Sequence, residues 1–188
     1  VIAKVLQSFC ENAVFTPEQG IDENEFINSN LFTSPDRYHT EDLIEGKIGK
    51  TEFCCAEVHA EEKKTRVDSK GRTSNYWVDI FQGFIFIADF HKDFEGHTTV
   101  LRNRLIKLNF SGSRVKLENP DFEKKFDVYS NNQVEARYLL SPSMMERLLE
   151  LDKQFNKNIT ISFHNSNIFI AIPDSKDHFE ASIWKPIS

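Results

Sequence analysis

The chain has 188 residues, long enough for one sizeable core or two tightly joined lobes. A hydrophobic fraction of 39% that includes 17 Phe excludes a disordered chain. A formal net charge of -6 argues against nucleic acid as a partner, and no apolar run nears the about 18 residues a bilayer-spanning helix needs.

In chain order, Val1, Val5, Leu6 and Phe9 recur at helical spacing and predict a helix over residues 1–11. This opening has no Met and no signal-peptide pattern, so a processed or excised chain is expected. Thr16-Pro17 and Gly20 interrupt it. Asp22 is placed to cap a second helix in DENEFINSNLF, with Phe26, Ile27 and Leu31 toward the core, and Ser34-Pro35-Asp36 ends that helix. Residues 1–35 therefore read as a helical N-terminal segment.

From residue 42 the pattern becomes that of strands. DLIEGKIGKTEFCCAEVHAEEKK reads as one or two extended segments bent at Gly46 and Gly49. TRVDSKGRTSN is a polar hairpin tip, and YWVDIFQGFIFIADF, apolar on both faces, is a central strand. Gly83 within it marks a bulge or a close backbone approach. HTTVLRNR and SRVKLE are short strands, and Asn119 with Pro120 opens a helical turn in PDFEKKF. FDVYS and VEARYLL read as strands joined at Asn131-Asn132. Ser141-Pro142 then starts one long helix near residues 142–156, with Met144, Met145, Leu148, Leu151 and Phe155 as its apolar stripe. ITISF and IFIAIP form a hairpin around HNSN, and HFEASIW is a last strand. The fold class is α+β: a mixed, mainly antiparallel sheet with N-terminal helices and one long helix. Residues 1–188 form a single domain whose strand-rich core spans 42–188.

The densest cluster of reactive side chains is FCCAEVHAEE, residues 53–62. Strand alternation separates Cys54, Ala56, Val58 and Ala60, a core face, from Phe53, Cys55, Glu57, His59 and Glu61, a polar face. Cys55, Glu57 and His59 form a candidate metal set that needs at least one more ligand from another segment; a polar strand without metal is the leading reading. The three cysteines, two of them adjacent, suggest no disulfide framework, and a reducing compartment is expected. No cofactor is predicted: phosphate-binding glycine loops and serine-hydrolase motifs are absent. Arg102, Arg104, Lys107, Arg114 and Lys116 make residues 102–116 locally basic, a candidate patch for anionic lipid or an acidic partner. Glu135 and Arg137, two apart on an expected strand, share a face and extend the candidate patch or form an ion pair.

LIEGKIGKTEFCCAEV, FQGFIFIADFHKDFEGHTTV and FEKKFDVYSNNQVEARYLLSPSMMERLLEL together resemble the bacterial domain-of-unknown-function family 3137, from about Gly20 to Ile172. The resemblance implies membrane-associated bacterial proteins with hydrophobic helices ahead of the domain, and so a place on the cytoplasmic face of the inner membrane. It implies no activity and no catalytic residues. Where relatives tend to carry Ser before the Glu of "SEV", this chain has Cys55-Ala56-Glu57-Val58, which speaks against a metal ligand there. Among the patterned positions, Asp89, Lys92, Glu123, Glu135 and Arg137 are charged.

These readings converge on a noncatalytic binding or scaffolding domain with a protein partner, attached to a membrane through segments outside this chain. One alternative is an enzyme whose site is assembled from His91, Asp89 and Glu135; another is anionic-lipid recognition through residues 102–116.

Overall fold

Two long strands, one rich in β-branched and aromatic residues and one alternating small apolar with polar residues, dominate the architecture. β3 (Thr51–Val67) and β4 (Thr73–Asp89) are 17-residue strands paired with each other from Phe53 opposite Ala88 to Val67 opposite Thr73. The computed structural model describes residues 13–102 and 112–174. Around the central pair lie β1 (Val14–Thr16), β2 (Arg37–Ile48), β5 (Thr98–Arg102), β6 (Ser113–Val115), β7 (Phe126–Ser130), β8 (Thr160–His164) and β9 (Asn167–Pro173). They form one nine-stranded sheet in the order β1-β2-β3-β4-β9-β8-β5-β7-β6. Every pairing between described strands is antiparallel, so the sheet is not mixed. No βαβ crossover is present among the described residues to demand a parallel pair.

Helices cover both faces. α1 (Glu23–Asn28) packs on one, its Phe26 fully buried with Ile21 and Leu31 against Ala56, Val58, Ala60, Phe81 and Ile85. Asp22 caps α1 as expected, accepting a hydrogen bond from Asn24 N at 2.8 Å. α2 (Pro120–Lys125), α3 (Gln133–Leu139) and α4 (Pro142–Phe155) cover the other face. Their Phe122, Leu139, Met145 and Leu148 meet Phe84, Val100, Val128, Ile161 and Phe163. Burying a side chain of this size contributes about 1.5–3 kcal/mol.

Gly83 lies where β4 meets the end of β9. Its φ is +148°, and a Cβ there would run into the Ile172 carbonyl and the backbone of Pro173 and Asp174. The close-approach reading of this glycine holds.

Three further expectations change. VEARYLL is not a strand: Asn132 caps α3 by accepting from Glu135 N at 3.1 Å, and Ala136, Leu139 and Leu140 bury one helical face. Residues 13–35 are not uniformly helical, since β1 precedes the single turn-and-a-half of α1. The polar tip shrinks to the five residues 68–72, because β3 runs to Val67 and β4 starts at Thr73. The helix expected over 1–11 and the strand expected in HFEASIW lie outside the described residues.

Candidate functional site

The strands of the central hairpin outrun their neighbours. β2 begins at Arg37 opposite Glu61, and β9 ends at Pro173 opposite Gly83. Beyond those points, among the described residues, Glu62–Val67 pairs only with Thr73–Val78, a two-stranded arm that takes no further described strand on either edge. Residues 63–76 are all exposed. Thr65, Val67, Thr73, Tyr76 and Trp77 have the β propensity to hold such a ribbon extended. Asp68 closes its tip, accepting from Lys70 N at 2.8 Å and Arg72 N at 2.9 Å.

The arm is cationic. Between Glu62 and Val78 it carries Lys63, Lys64, Arg66, Lys70 and Arg72 against only Glu62 and Asp68, in a chain of net charge -6. Lys64 pairs with Glu62 at 2.7 Å and Arg72 with Asp68 at 3.3 Å. Among the described residues no carboxylate forms an ion pair with the side chains of Lys63, Arg66 or Lys70, although the Lys63 amide donates to Asp36 at 2.7 Å. At the root, the Arg37 guanidinium stacks 3.5 Å over the Trp77 ring.

A β-bulge separates arm from body. Ala60 opposes Phe81 and Glu61 opposes Asp79, so Ile80 is the extra residue. Without it Asp79 would face the opposite side of the sheet from Glu61. With it, ligand atoms of His59, Glu61 and Asp79 lie within 4.8 Å of one another. His59 Nε2 is 2.8 Å from Asp79 Oδ1, and Arg37 is 3.8 Å from Glu61. The group is chemically able to take a divalent cation, though in this arrangement His59 and Asp79 satisfy each other and Glu61 faces Arg37.

The metal set of the sequence reading is not assembled in that form. His59 keeps its place on the polar face, but Cys55 is buried in the main core beside Phe84, because α2–α4 cover that end of the face. Burial pushes its thiol up to about 12, and the neighbouring Cys54 thiol is raised to about 12 as well, again chiefly by burial. A thiol so disfavoured as thiolate is a packing group. The group that reaches His59 from another segment is Asp79 on β4, joined by Glu61 of β3 itself, and Cys55 takes no part.

Of the basic stretch, Arg102 and Arg114 are paired internally. Arg102 Nε lies 3.3 Å from the buried Asp152, which Lys125 also meets at 2.8 Å. Arg114 pairs with Asp127 at 2.6 Å and Glu123 at 3.7 Å. The Lys116 carbonyl accepts from Arg137, and Arg104 and Lys107 lie outside the described residues. Glu135 and Arg137 sit on a helix, not a strand, and point to different partners. Glu135 accepts from Glu95 N at 3.1 Å and Gly96 N at 2.7 Å; Arg137 donates to the Gln133 carbonyl at 2.8 Å. His91 does meet Asp89, at 3.1 Å, but the Glu135 carboxylate is committed to the loop amides.

One cluster was not legible beforehand. His97 is buried between β5 and β8, its Nε2 3.0 Å from Thr99 Oγ1 and its ring 5.4 Å from that of His164. Ser162, opposite Thr99, donates to the Ser29 carbonyl at 2.5 Å. Burial, then the charge of His164, lowers His97 to about 4, and burial lowers His164 too. Only the register of β5 on β8 joins these residues, and no spacing in the sequence announces it.

A family model described as "Protein of unknown function (DUF3137)" matches residues 79–188, more than half of the chain. It begins within β4, just past the arm, and extends beyond Ile172, where the motif resemblance stops. No curated protein and no solved structure matches.

Proposed function

Because the chain belongs to the DUF3137 family, whose function is unknown, we propose that it is a noncatalytic binding or scaffolding domain that uses the β3–β4 arm as its contact element. The observation carrying this reading is the arm itself. Residues 63–76 contribute nothing to the buried clusters, so the fold does not require them, yet they present unpaired cations and Tyr76 on an ordered ribbon. Such a ribbon offers side chains on two faces to a protein partner with an acidic surface. Attachment at the cytoplasmic face of a bacterial membrane, through segments outside this sequence, is supported by the family resemblance. No helix of the described residues is long and apolar enough to cross a bilayer.

A photo-crosslinking residue at Tyr76, in protein expressed in its native host, tests the arm. The expected result is a discrete adduct that disappears in the K63E/R66E/K70E variant while the melting temperature is unchanged. A Tyr76 probe that gives no discrete adduct, or an adduct indifferent to those reversals, defeats the reading.

A further inference from the structure

We propose that the arm's partner is a second copy of this chain, and that two copies associate about a twofold axis with each basic arm laid on the other's acidic α1 cap. This rests on the reading of the arm as a contact element and names what it contacts.

The complementary surface is on the same molecule. Asp22, Glu23 and Glu25 are exposed at the start of α1, and no cation pairs with them among the described residues. They act together: after burial itself, these three carboxylates are what raise the Tyr38 phenol, and Glu25 with Glu45 adds to the burial that raises Cys54. α1 also sits where the geometry needs it. Phe26 packs 5.3 Å from the Tyr38 ring, and Tyr38 opposes Ala60, the last residue before the bulge at the arm's root. The acidic cap therefore flanks the root, while Arg66 and Lys70 lie at the tip.

Six residues of extended chain carry that tip about 20 Å from the root. Two arms running antiparallel would bring each tip to the other's root. A twofold interface requires both halves of a contact on one surface, and a basic tip with an acidic root is that arrangement. Separation by more than the Debye length of about 8 Å also keeps each molecule's own tip from being neutralised by its own cap.

The arm's edges themselves do not make the contact. Pairing two copies of Glu62–Val67 edge to edge would set Lys63, Lys64 and Arg66 among their equivalents, and like charges facing across strands are destabilising. The cations close the edge to self-pairing and leave side-chain docking on carboxylates.

Sedimentation equilibrium of the intact chain decides the matter. The expected result is a dimer at 50 mM NaCl whose dissociation constant rises about tenfold or more by 500 mM. R66E/K70E and E23K/E25K should each be monomeric at 50 mM with unchanged circular dichroism. The four-site variant R66E/K70E/E23K/E25K, in which the two charges are exchanged, should dimerise again. An intact chain that stays monomeric at 50 mM, a dimer that survives both reversals, or a four-site variant that fails to recover overturns the proposal. If the chain is monomeric while a Tyr76 probe still links to a different acidic protein, the second copy is rejected and the arm reading stands; with no adduct at all, both fall.

Discussion

His97 is 7% exposed, and its ordinary pKa of 6.5 is lowered to about 4 because the protonated ring would lose water and face His164. The unfolded chain therefore binds a proton in a range where the folded chain does not. Stability from this site is complete well above pH 6.5 and is lost as pH falls toward 4, by up to about 1.4 kcal/mol per pH unit. Urea denaturation at pH 7.5, 5.5 and 4.5 should show the midpoint falling, and His97→Gln should flatten the decline. An unchanged slope in that variant would place the acid sensitivity elsewhere. Asp152 was invisible as a special position: one acidic residue on a helix looks like any other until Arg102 and Lys125 converge on it.

At the scale of elements, α3 shows how a local pattern misleads. VEARYLL alternates well enough for a strand, with Val134, Ala136 and Tyr138 on one side. In the structure Val134 and Tyr138 are 79% and 59% exposed, and Ala136, Leu139 and Leu140 are the buried set. The deciding interactions are the Asn132 cap and the reach of Glu135 to the amides of Glu95 and Gly96, about 40 positions earlier in the chain. Gly96 has no Cβ because that carboxylate and Asn131 occupy the space. Glu135→Ala should leave the two amides without their partner and cost about 1–3 kcal/mol. The check is a lower urea midpoint at constant m-value, together with faster hydrogen exchange at Gly96. Unaltered exchange at Gly96 would show that the loop is held by other contacts.

Across the whole molecule, the two large hydrophobic clusters lie on opposite faces of shared strands. β4 gives Phe84 to one and Phe81, Ile85 and Ile87 to the other; β9 gives Ile172 to the first and Phe169 and Ala171 to the second. Neither face can be lost without removing the strands that support the other. A single unfolding transition is expected, with calorimetric and van't Hoff enthalpies equal. Two resolved transitions would mean that the helices on one face unfold as a separate unit. The arm is outside this cooperative unit because none of residues 63–76 is buried, which is why substitutions there should alter association and not melting.

The sequence by itself determined the elements whose signals are local. The cap at Asp22, the Ser141-Pro142 start of α4, the long apolar β4 and the strand character of FCCAEVHAEE all follow from side-chain chemistry within one or two turns or pleats. It also determined which residues of that strand share a face. What covers each face was decided only by tertiary structure, because burial depends on elements distant in the chain. Cys55 and His59 point the same way, yet α2–α4 bury one and leave the other beside Asp79. The same holds for charge. Residues 102–116 and 62–78 are both basic as strings, but Asp152 and Asp127 fold against Arg102 and Arg114 of the first, while the second projects past the described strands β2 and β9.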